Sequence, residues 1–243
     1  MNEYSLQAPF IYDFYTKTIK SVGGNPQFRT IQNIRLMLES NENFIETHSF
    51  GTVSKINGKK IRQIKHIAKR GISEPKYSEL LYRICRDHEF TNILELGTSF
   101  GISTLYLAQV PGAAVTTFEG CTESLAIAQK NFTNAGVENI QVVTGNIDVT
   151  LEKHVENAEK IDFVFFDANH KRKPTLKYFE ICLRKSHDKT IYVFDDIHWS
   201  GEMKQAWQLI CAKQVITLSI DLFQLGIVFV DPGLSKQHYI LAF

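Results

Sequence analysis

Asn92-Ile-Leu-Glu-Leu-Gly-Thr-Ser-Phe-Gly-Ile-Ser-Thr-Leu-Tyr-Leu-Ala108 is the stretch of the sequence that decides the fold. It opens with an apolar run too short for a helix, which predicts a buried strand. Gly97 and Gly101 follow, and glycines let the backbone pass close to a ligand. Apolar residues at helical spacing come next. This succession of strand, glycine turn and helix indicates a nucleotide-binding unit of an α/β domain.

An acidic residue ends the second predicted strand. Glu119 follows the apolar segment 113–118 and lies 22 residues after Gly97. In nucleotide-binding βαβ units, an acidic side chain at this place accepts hydrogen bonds from ribose hydroxyls. We therefore predict an adenosine-type cofactor that contacts Glu119.

The glycine turn differs from that of a dinucleotide-binding protein. The dinucleotide pattern G-x-G-x-x-G holds a pyrophosphate at the helix N-terminus, but here Ser99 stands in place of the middle glycine. Glu95 precedes the turn, and its charge would repel a pyrophosphate and attract an ammonium group such as that of a methionine moiety. A nicotinamide-dependent dehydrogenase is therefore the least favoured class of enzyme.

Three segments carry a family resemblance. The pattern E-L-G-T-x-x-G-x-S-T at 95–104 resembles motif I of class I S-adenosylmethionine-dependent methyltransferases, in particular the catechol and caffeoyl-CoA O-methyltransferase group. The segments F-F-D-A-N-H at 165–170 and D-D-I-H-W at 195–199 are similar to the two metal-binding blocks of the cation-dependent members. The resemblance runs from about residue 75 to 231 and leaves out residues 1–70.

The resemblance implies where the cofactor S-adenosyl-L-methionine binds. Ligands of open α/β sheets bind at the carboxyl ends of the strands, where the matching residues fall. Asp148 would accept a hydrogen bond from the adenine amino group, or alternatively cap the helix that follows it. The residues assigned to the cofactor are Glu95, Gly97, Thr98, Ser99, Gly101, Ser103, Glu119, Asp148 and Asp167.

The resemblance also implies a divalent cation, Mg²⁺ or another, at Asp167, Asp195 and Asp196. Carboxylates are the oxygen ligands that such hard cations prefer, and the alternative is a polar rim without a metal. Two residues depart from the family: His170 stands where the family has a lysine that helps deprotonate the substrate, and Asp196 where it has asparagine.

His170 is the predicted catalytic residue. With an ordinary pKa of about 6.5, a histidine can act as general base near neutral pH. The alternative is a structural histidine that contacts Asp167 or caps the next helix.

Length and composition fit one α/β domain with an extension. The chain has 243 residues, 44% of them hydrophobic, and its 27 basic residues nearly balance its 26 acidic ones. We predict a Rossmann-like, doubly wound, mostly parallel seven-stranded sheet with helices on both faces for residues 73–243, the methyltransferase domain. Residues 1–72 are predicted to form a helical extension that serves as lid, substrate surface or dimer surface.

Within the extension, helices are predicted in residues 8–40, broken at Gly23-Gly-Asn-Pro26. A loop is predicted from Asn41 to Gly58, and its polar part, His48 to Thr52, is either a substrate loop or a plain connection. The stretch from Lys55 to Arg70 holds seven Lys or Arg residues and no acid. It is interpreted as the solvated face of an amphipathic helix, or alternatively as a surface for an anionic substrate or RNA.

The cysteines and the N-terminus complete the expectations. Cys85, Cys121, Cys182 and Cys211 are widely spaced and indicate neither zinc nor disulfides, but buried thiols in a reducing compartment. No secretory leader or 18-residue apolar run is recognised, so a cytoplasmic protein without a membrane partner is expected. The predicted partner is a small-molecule methyl acceptor, with a homodimer as a further expectation. Two alternatives stay open: an RNA-directed methyltransferase that uses residues 55–70, and a non-catalytic S-adenosylmethionine-binding module.

Overall fold

The computed structural model of the chain describes residues 9–21, 25–48 and 59–243. The chain divides into two compact units. The first combines Met1–Val22, Asn92–Leu94 and Leu151–Phe243, and the second combines Gly23–Thr91 with Glu95–Thr150. Neither unit ends at residue 72, so the boundary expected there stays a prediction.

Eight strands form a single mixed sheet, apart from a separate antiparallel pair. The pair consists of β1 (Phe44–His48) and β2 (Lys59–Gln63). The strands of the large sheet are β3 (Asn92–Leu96), β4 (Ala114–Glu119), β5 (Ile140–Thr144), β6 (Phe163–Phe166), β7 (Ile191–Phe194), β8 (Leu218–Asp221), β9 (Gly226–Phe229) and β10 (Gln237–Ile240). Their order is β10-β8-β9-β7-β6-β3-β4-β5.

The strand directions confirm the predicted fold class and correct the strand number. The pairs β4–β5, β6–β7 and β8–β10 are parallel, whereas β9 is antiparallel to both β7 and β8. The sheet has eight strands rather than seven, because β10 pairs with β8 as an additional edge strand. Strand β10 is largely exposed, as an edge strand can be, so its sequence lacks the continuous apolar run of the central strands.

Helices connect the strands and precede the sheet. In the residues that the structure describes, the α-helices are α1 (Pro9–Asp13), α2 (Arg29–Ser40), α3 (Ile64–Arg70), α4 (Pro75–Asp87), α5 (Ile102–Leu107), α6 (Thr122–Ala135), α7 (Ile147–Asn157), α8 (Arg172–Leu183) and α9 (Gly201–Ala212). Helix α1 continues into a π-helical segment, Phe14–Ile19, and a 3₁₀ turn, Pro26–Phe28, precedes α2. Within the described ranges, every helix is too short or too polar to cross a membrane.

The basic stretch is not a single helix, which corrects the prediction. Lys59–Gln63 forms strand β2, and only Ile64–Arg70 is helical. Ile61, predicted on the apolar face of a helix, is 75% exposed, while Ile64 and Ile67 are buried. The reason is that backbone pairing with β1 determines the conformation of this segment. Apart from the backbone of His48, the predicted polar loop His48 to Thr52 lies outside the described residues.

Aromatic contacts anchor the N-terminal segments, each within its own unit. In the first unit, the ring of Phe14 packs edge-on against Phe229 with centroids 5.3 Å apart. In the second unit, the buried ring of Phe28 contacts Tyr82 and Tyr106 at centroid distances of 5.0 and 4.6 Å. Burying such a ring contributes about 1.5–3 kcal/mol. The N-terminal residues therefore form part of the core of each unit.

The four cysteines are free thiols, and three of the four are buried as expected. Cys85, Cys121 and Cys182 are buried, and Cys211 is half-buried. Burial raises the pKa of Cys211 to about 11, so this thiol is not activated for nucleophilic chemistry.

Gly101 is required by both backbone conformation and packing. It precedes α5 with φ 78°, and a Cβ atom there would overlap the ring of Phe132. We expect Gly101→Ala to destabilise the protein by about 1–2 kcal/mol from the left-handed backbone and by about 1–3 kcal/mol more from overpacking. Urea unfolding measures both contributions.

Gly112→Ala is the matched control for this prediction. Gly112 has φ 73° but open space around its Cα, so only the backbone contribution applies. Equal losses of unfolding free energy in the two variants would show that the contact with Phe132 is unimportant.

Candidate functional site

Glu95 is fully buried at the end of β3, and three hydroxyl groups hold its carboxylate. Ser103 donates to Oε1 over 2.6 Å, and Thr104 and Thr117 donate to Oε2 over 2.5 and 2.7 Å. A buried carboxylate requires such partners, because losing its hydration is costly. Glu95 therefore fixes the first turn of α5 against β4. Contact between Glu95 or Ser103 and the methionine moiety stays a prediction.

The glycine turn lies between β3 and α5. The N–H groups of Gly97 and Thr98 both donate to the carbonyl of Phe118 over 3.1 Å. Gly97 has φ 110°, which favours glycine, and Ser99 has φ 49°. The hydroxyl of Thr98 is 2.6 Å from that of Thr117. The turn is thus held in a tightly specified backbone conformation at the end of β4.

Glu119 joins this turn to the next helix. Its Oε2 accepts a hydrogen bond from the backbone N–H of Ser99 over 2.7 Å, and its Oε1 accepts one from Cys121 over 2.8 Å. A carboxylate can accept about four hydrogen bonds. The structure therefore brings Glu119, the residue predicted to bind the ribose, into direct contact with the glycine turn.

Asp148 lies in the first turn of α7. A backbone hydrogen bond joins the segment just before this helix to the end of β4. The N–H of Gly145 donates to the carbonyl of Glu119 over 2.8 Å. Asn146 accepts a hydrogen bond from the N–H of Asp148 over 2.9 Å, so Asn146 and not Asp148 caps the helix. The alternative capping role of Asp148 is therefore wrong, and its adenine contact stays a prediction. The sequence carried a signal for this cap, because asparagine is a preferred residue directly before a helix.

In the first unit, His170 lies among the acidic residues that follow β6 and β7. Its Nε2 is 3.4 Å from Oδ1 of Asp167, and its Nδ1 is 3.9 Å from Oδ2 of Asp196. Asp195 is only 6% exposed, and its Oδ1 accepts a hydrogen bond from the side chain of Gln224 over 3.5 Å. The structure thus brings His170 to both Asp167 and Asp196.

The backbone of this cluster is strained. Asn169, His170 and Asp196 have φ values of 63°, 25° and 56°. Such values cost free energy for residues other than glycine and persist where the surrounding structure enforces them. Strained residues of this kind concentrate at functional sites, and this cluster is accordingly the candidate catalytic group.

Charge and burial together change the acidity of the cluster. Burial lowers the pKa of His170, but the hydrogen bond and charge of Asp167 and the charges of Asp195 and Asp196 raise it to about 9. Burial, with the charges of Asp167 and Asp196, raises the pKa of Asp195. Burial also raises the pKa of Asp196, against the opposing effect of His170. The contacts of His170 with these acids therefore favour the charged ring and place its pKa above the ordinary value on which the sequence prediction rested.

The carboxylates suit a divalent cation by their chemistry but not by their arrangement. Three carboxylates are a preferred oxygen donor set for Mg²⁺. Across the described parts of the chain, however, no group of three or more His, Cys, Asp and Glu side chains is placed to hold a metal ion. The ring of His170 instead stands beside Asp167 and Asp196. A metal at Asp167, Asp195 and Asp196 therefore stays a prediction.

The central segment of the chain is similar to known methyltransferases. Residues 94–197 match a family described as a methyltransferase domain. The chain is 33% identical over 135 residues to a catechol O-methyltransferase of Niastella koreensis. That alignment covers 54% of this chain and 59% of the relative, so the chain matches less than two thirds of the relative's length.

Solved structures share the fold. An O-methyltransferase of Bacillus cereus in complex with S-adenosylhomocysteine is 19% identical, with a TM-score of 0.60 over 94% of this chain and 100% of that chain. A methyltransferase of Podospora anserina bound to S-adenosylhomocysteine is 14% identical, with a TM-score of 0.64 over 92% of this chain and 97% of that chain. These structures confirm the fold, and the sequence matches confirm the resemblance to methyltransferases, including a catechol O-methyltransferase.

The raised pKa of His170 gives a testable prediction. In chelator, NMR titration of the imidazole is expected to have its midpoint near pH 9, above the ordinary value of 6.5. The charged ring therefore contributes stability below pH 6.5, and this contribution is lost as the pH rises through about 9. Asp167→Asn should move the midpoint down, because the main attractive partner loses its charge. A midpoint at or below 6.5 in the unmodified protein would contradict the assigned contacts.

Proposed function

We propose that this protein, whose residues 94–197 match the methyltransferase domain family, transfers the methyl group of S-adenosyl-L-methionine to an oxygen of a small molecule. The observation that carries the proposal is the hydrogen bond from the Ser99 N–H to Glu119, which joins the carboxylate that we propose for ribose binding to the glycine turn. Similarity to a catechol O-methyltransferase and to an O-methyltransferase supports methyl transfer to oxygen, and catechol is the first acceptor to test.

The residues around the glycine turn supply cofactor binding. Glu119 would accept hydrogen bonds from the ribose hydroxyls, and Asp148 one from the adenine amino group. The buried charge of Glu95 favours a cationic ligand through its field. Its three hydroxyl partners keep the turn in one conformation. A turn that is already ordered loses less entropy when the cofactor binds.

Glu119→Ala tests the cofactor part of the proposal. Loss of hydrogen bonds to a charged group is expected to weaken S-adenosylhomocysteine binding by about 1.5–3 kcal/mol, roughly ten- to hundredfold in the dissociation constant. Isothermal titration calorimetry measures this change. Glu138→Ala, which removes an exposed acid of the same unit, should leave the affinity unchanged.

A structural effect of Glu119 must be separated from a binding effect. Glu119 also holds the backbone of Ser99 and Cys121, so the unfolding free energy of each variant is measured as well. Glu119→Gln keeps one acceptor oxygen and should lie between wild type and Glu119→Ala in affinity. Unchanged affinity in a folded Glu119→Ala protein would remove Glu119 from the cofactor site.

The cluster around His170 supplies the proposed proton acceptor. In the reaction, the acceptor oxygen attacks the methyl carbon, the carbon–sulfur bond breaks, and S-adenosylhomocysteine leaves with the bonding electron pair. The hydroxyl proton must be removed, and His170 is the proposed base. Only the neutral ring can accept a proton, and the neighbouring carboxylates favour the charged ring. The fraction of His170 that can act as base therefore increases as the pH rises. The remaining contribution of the protein is to position the two reactants.

His170→Gln tests the catalytic part. Loss of a general base is expected to lower turnover about a hundredfold or more, while the affinity for S-adenosylhomocysteine stays unchanged. The measurement uses methyl-labelled S-adenosylmethionine with catechol and a panel of phenolic and carboxylic acceptors.

His187→Gln is the matched control. His187 is also 30% exposed and also pairs with a carboxylate of the same unit, Asp162, at 2.8 Å. It therefore reports the effect of removing a structural histidine–aspartate pair. Equal turnover of the two variants would assign His170 a structural role as well.

Assistance by a divalent cation is a separate proposal, supported only by the donor chemistry of Asp167, Asp195 and Asp196. No step of the reaction is derived through it. Repeating the His170 titration with Mg²⁺ provides its test, because a bound cation would compete with the imidazolium for the carboxylates. A midpoint that does not change at saturating Mg²⁺ would count against a metal in this cluster.

No specific observation favours the alternative functions. A net charge of +1 gives no overall attraction to RNA, although the described basic side chains Lys60, Arg62, Lys69 and Arg70 are exposed. A non-catalytic cofactor-binding module would keep Glu119 but would not need the strained turn at His170. The cytoplasmic location and the homodimer stay predictions.

A further inference from the structure

Phe223 lies at the tip of the β8–β9 hairpin and is not explained by folding stability. Its side chain is 77% exposed, although its backbone has φ 72°. A bulky residue in this left-handed region is a conformational outlier that costs free energy. Because the ring is exposed, burial of its apolar surface offsets little of this free-energy cost. Strain retained under these conditions points to a functional contact.

Asp221 enforces the position of Phe223 together with that of a second ring. Asp221 is buried, with 4% of its surface exposed. Its Oδ1 accepts a hydrogen bond from the backbone N–H of Phe223 over 2.8 Å, and its Oδ2 lies 2.7 Å from Nε2 of His198. The rings of His198 and Phe223 stack with centroids 5.4 Å apart and an interplanar angle of 25°. One buried carboxylate thus fixes both members of a stacked pair.

The His198–Phe223 stack is connected to the acidic cluster in the same unit. His198 follows Asp196 by two residues in the sequence. The N–H of Ile197 donates to the carbonyl of Gln224 over 3.3 Å, and the side chain of Gln224 donates to Asp195 over 3.5 Å. The hairpin tip is therefore bonded to the segment that carries the candidate catalytic acids.

We propose that Phe223 is a specificity-determining residue that stacks on the aromatic ring of the methyl acceptor, and that Asp221 is the positioning residue that orients it. The inference rests on the proposed function and adds the part of the protein that selects the acceptor. An exposed aromatic face attracts another aromatic ring through dispersion and quadrupole interactions. It offers no comparable gain to an aliphatic alcohol. His198 supports the ring of Phe223 from its other side.

The test measures acceptor binding apart from turnover. Dissociation constants of catechol are determined by NMR titration in the presence of saturating S-adenosylhomocysteine for wild type, Phe223→Ala and Phe223→Trp. Phe223→Ala should weaken catechol binding about three- to tenfold, the size of an aromatic pair, and Phe223→Trp should restore it. The non-aromatic cis-1,2-cyclohexanediol should bind equally to all three proteins. Ile240→Ala, which removes an exposed apolar side chain of the same unit, is the control.

Asp221→Asn tests the positioning role. It should weaken catechol binding in the same direction as Phe223→Ala, and the double variant should be no weaker than Phe223→Ala alone, because Asp221 acts through Phe223. A merely structural role would instead give additive losses. If Asp221→Asn does not fold, the comparison of Phe223→Ala with Phe223→Trp still decides the role of Phe223.

Failure of this inference is distinguishable from failure of the proposed function. Unchanged catechol affinity in Phe223→Ala, or no binding of catechol to wild type at millimolar concentration, overturns the role of Phe223. Neither result affects S-adenosylhomocysteine binding or methyl transfer to another acceptor, which test the proposed function itself.

Discussion

The burial of the Glu95 carboxylate is the constraint on which the glycine turn depends. A charged group without exposure must be fully hydrogen-bonded, and its three partners come from α5 and β4. These hydroxyls are available only when the helix begins directly after the turn. The requirement therefore fixes the path from β3 to α5 and sets the backbone of Ser99, which Glu119 then holds over 2.7 Å. One buried acid thus orders the elements that would hold the cofactor.

The two groups of acids compensate their charges differently. Glu95 and Glu119 accept hydrogen bonds from neutral hydroxyl and amide donors. In the other unit, burial and the charges of Asp167 and Asp196 raise the pKa of Asp195. Attraction of the charged ring to these carboxylates raises the pKa of His170 to about 9. The first arrangement suits a site that keeps one shape. The second suits a site that exchanges a proton.

The sequence predictions failed where tertiary contacts replaced local preferences. Ile61 fits an apolar helical face, but pairing of β2 with β1 extends the backbone there and leaves the side chain exposed. Asp148 fits a helix cap, but the helix begins earlier and Asn146 takes that place. The predicted total of seven strands was also wrong, because the sheet has an eighth strand, with β10 paired with β8 at its edge.

The sequence by itself determined the fold class, the glycine turn and the acids at the strand ends, because periodicity and glycine placement are local properties of the chain. Only the tertiary structure decided which side chains these acids contact. The contact of Glu95 with Thr117, that of His170 with Asp196 and that of Asp221 with His198, 23 residues away, arise between residues that are separated in the chain. No local pattern specifies such contacts, since they exist only after burial brings the side chains together and removes water from between them.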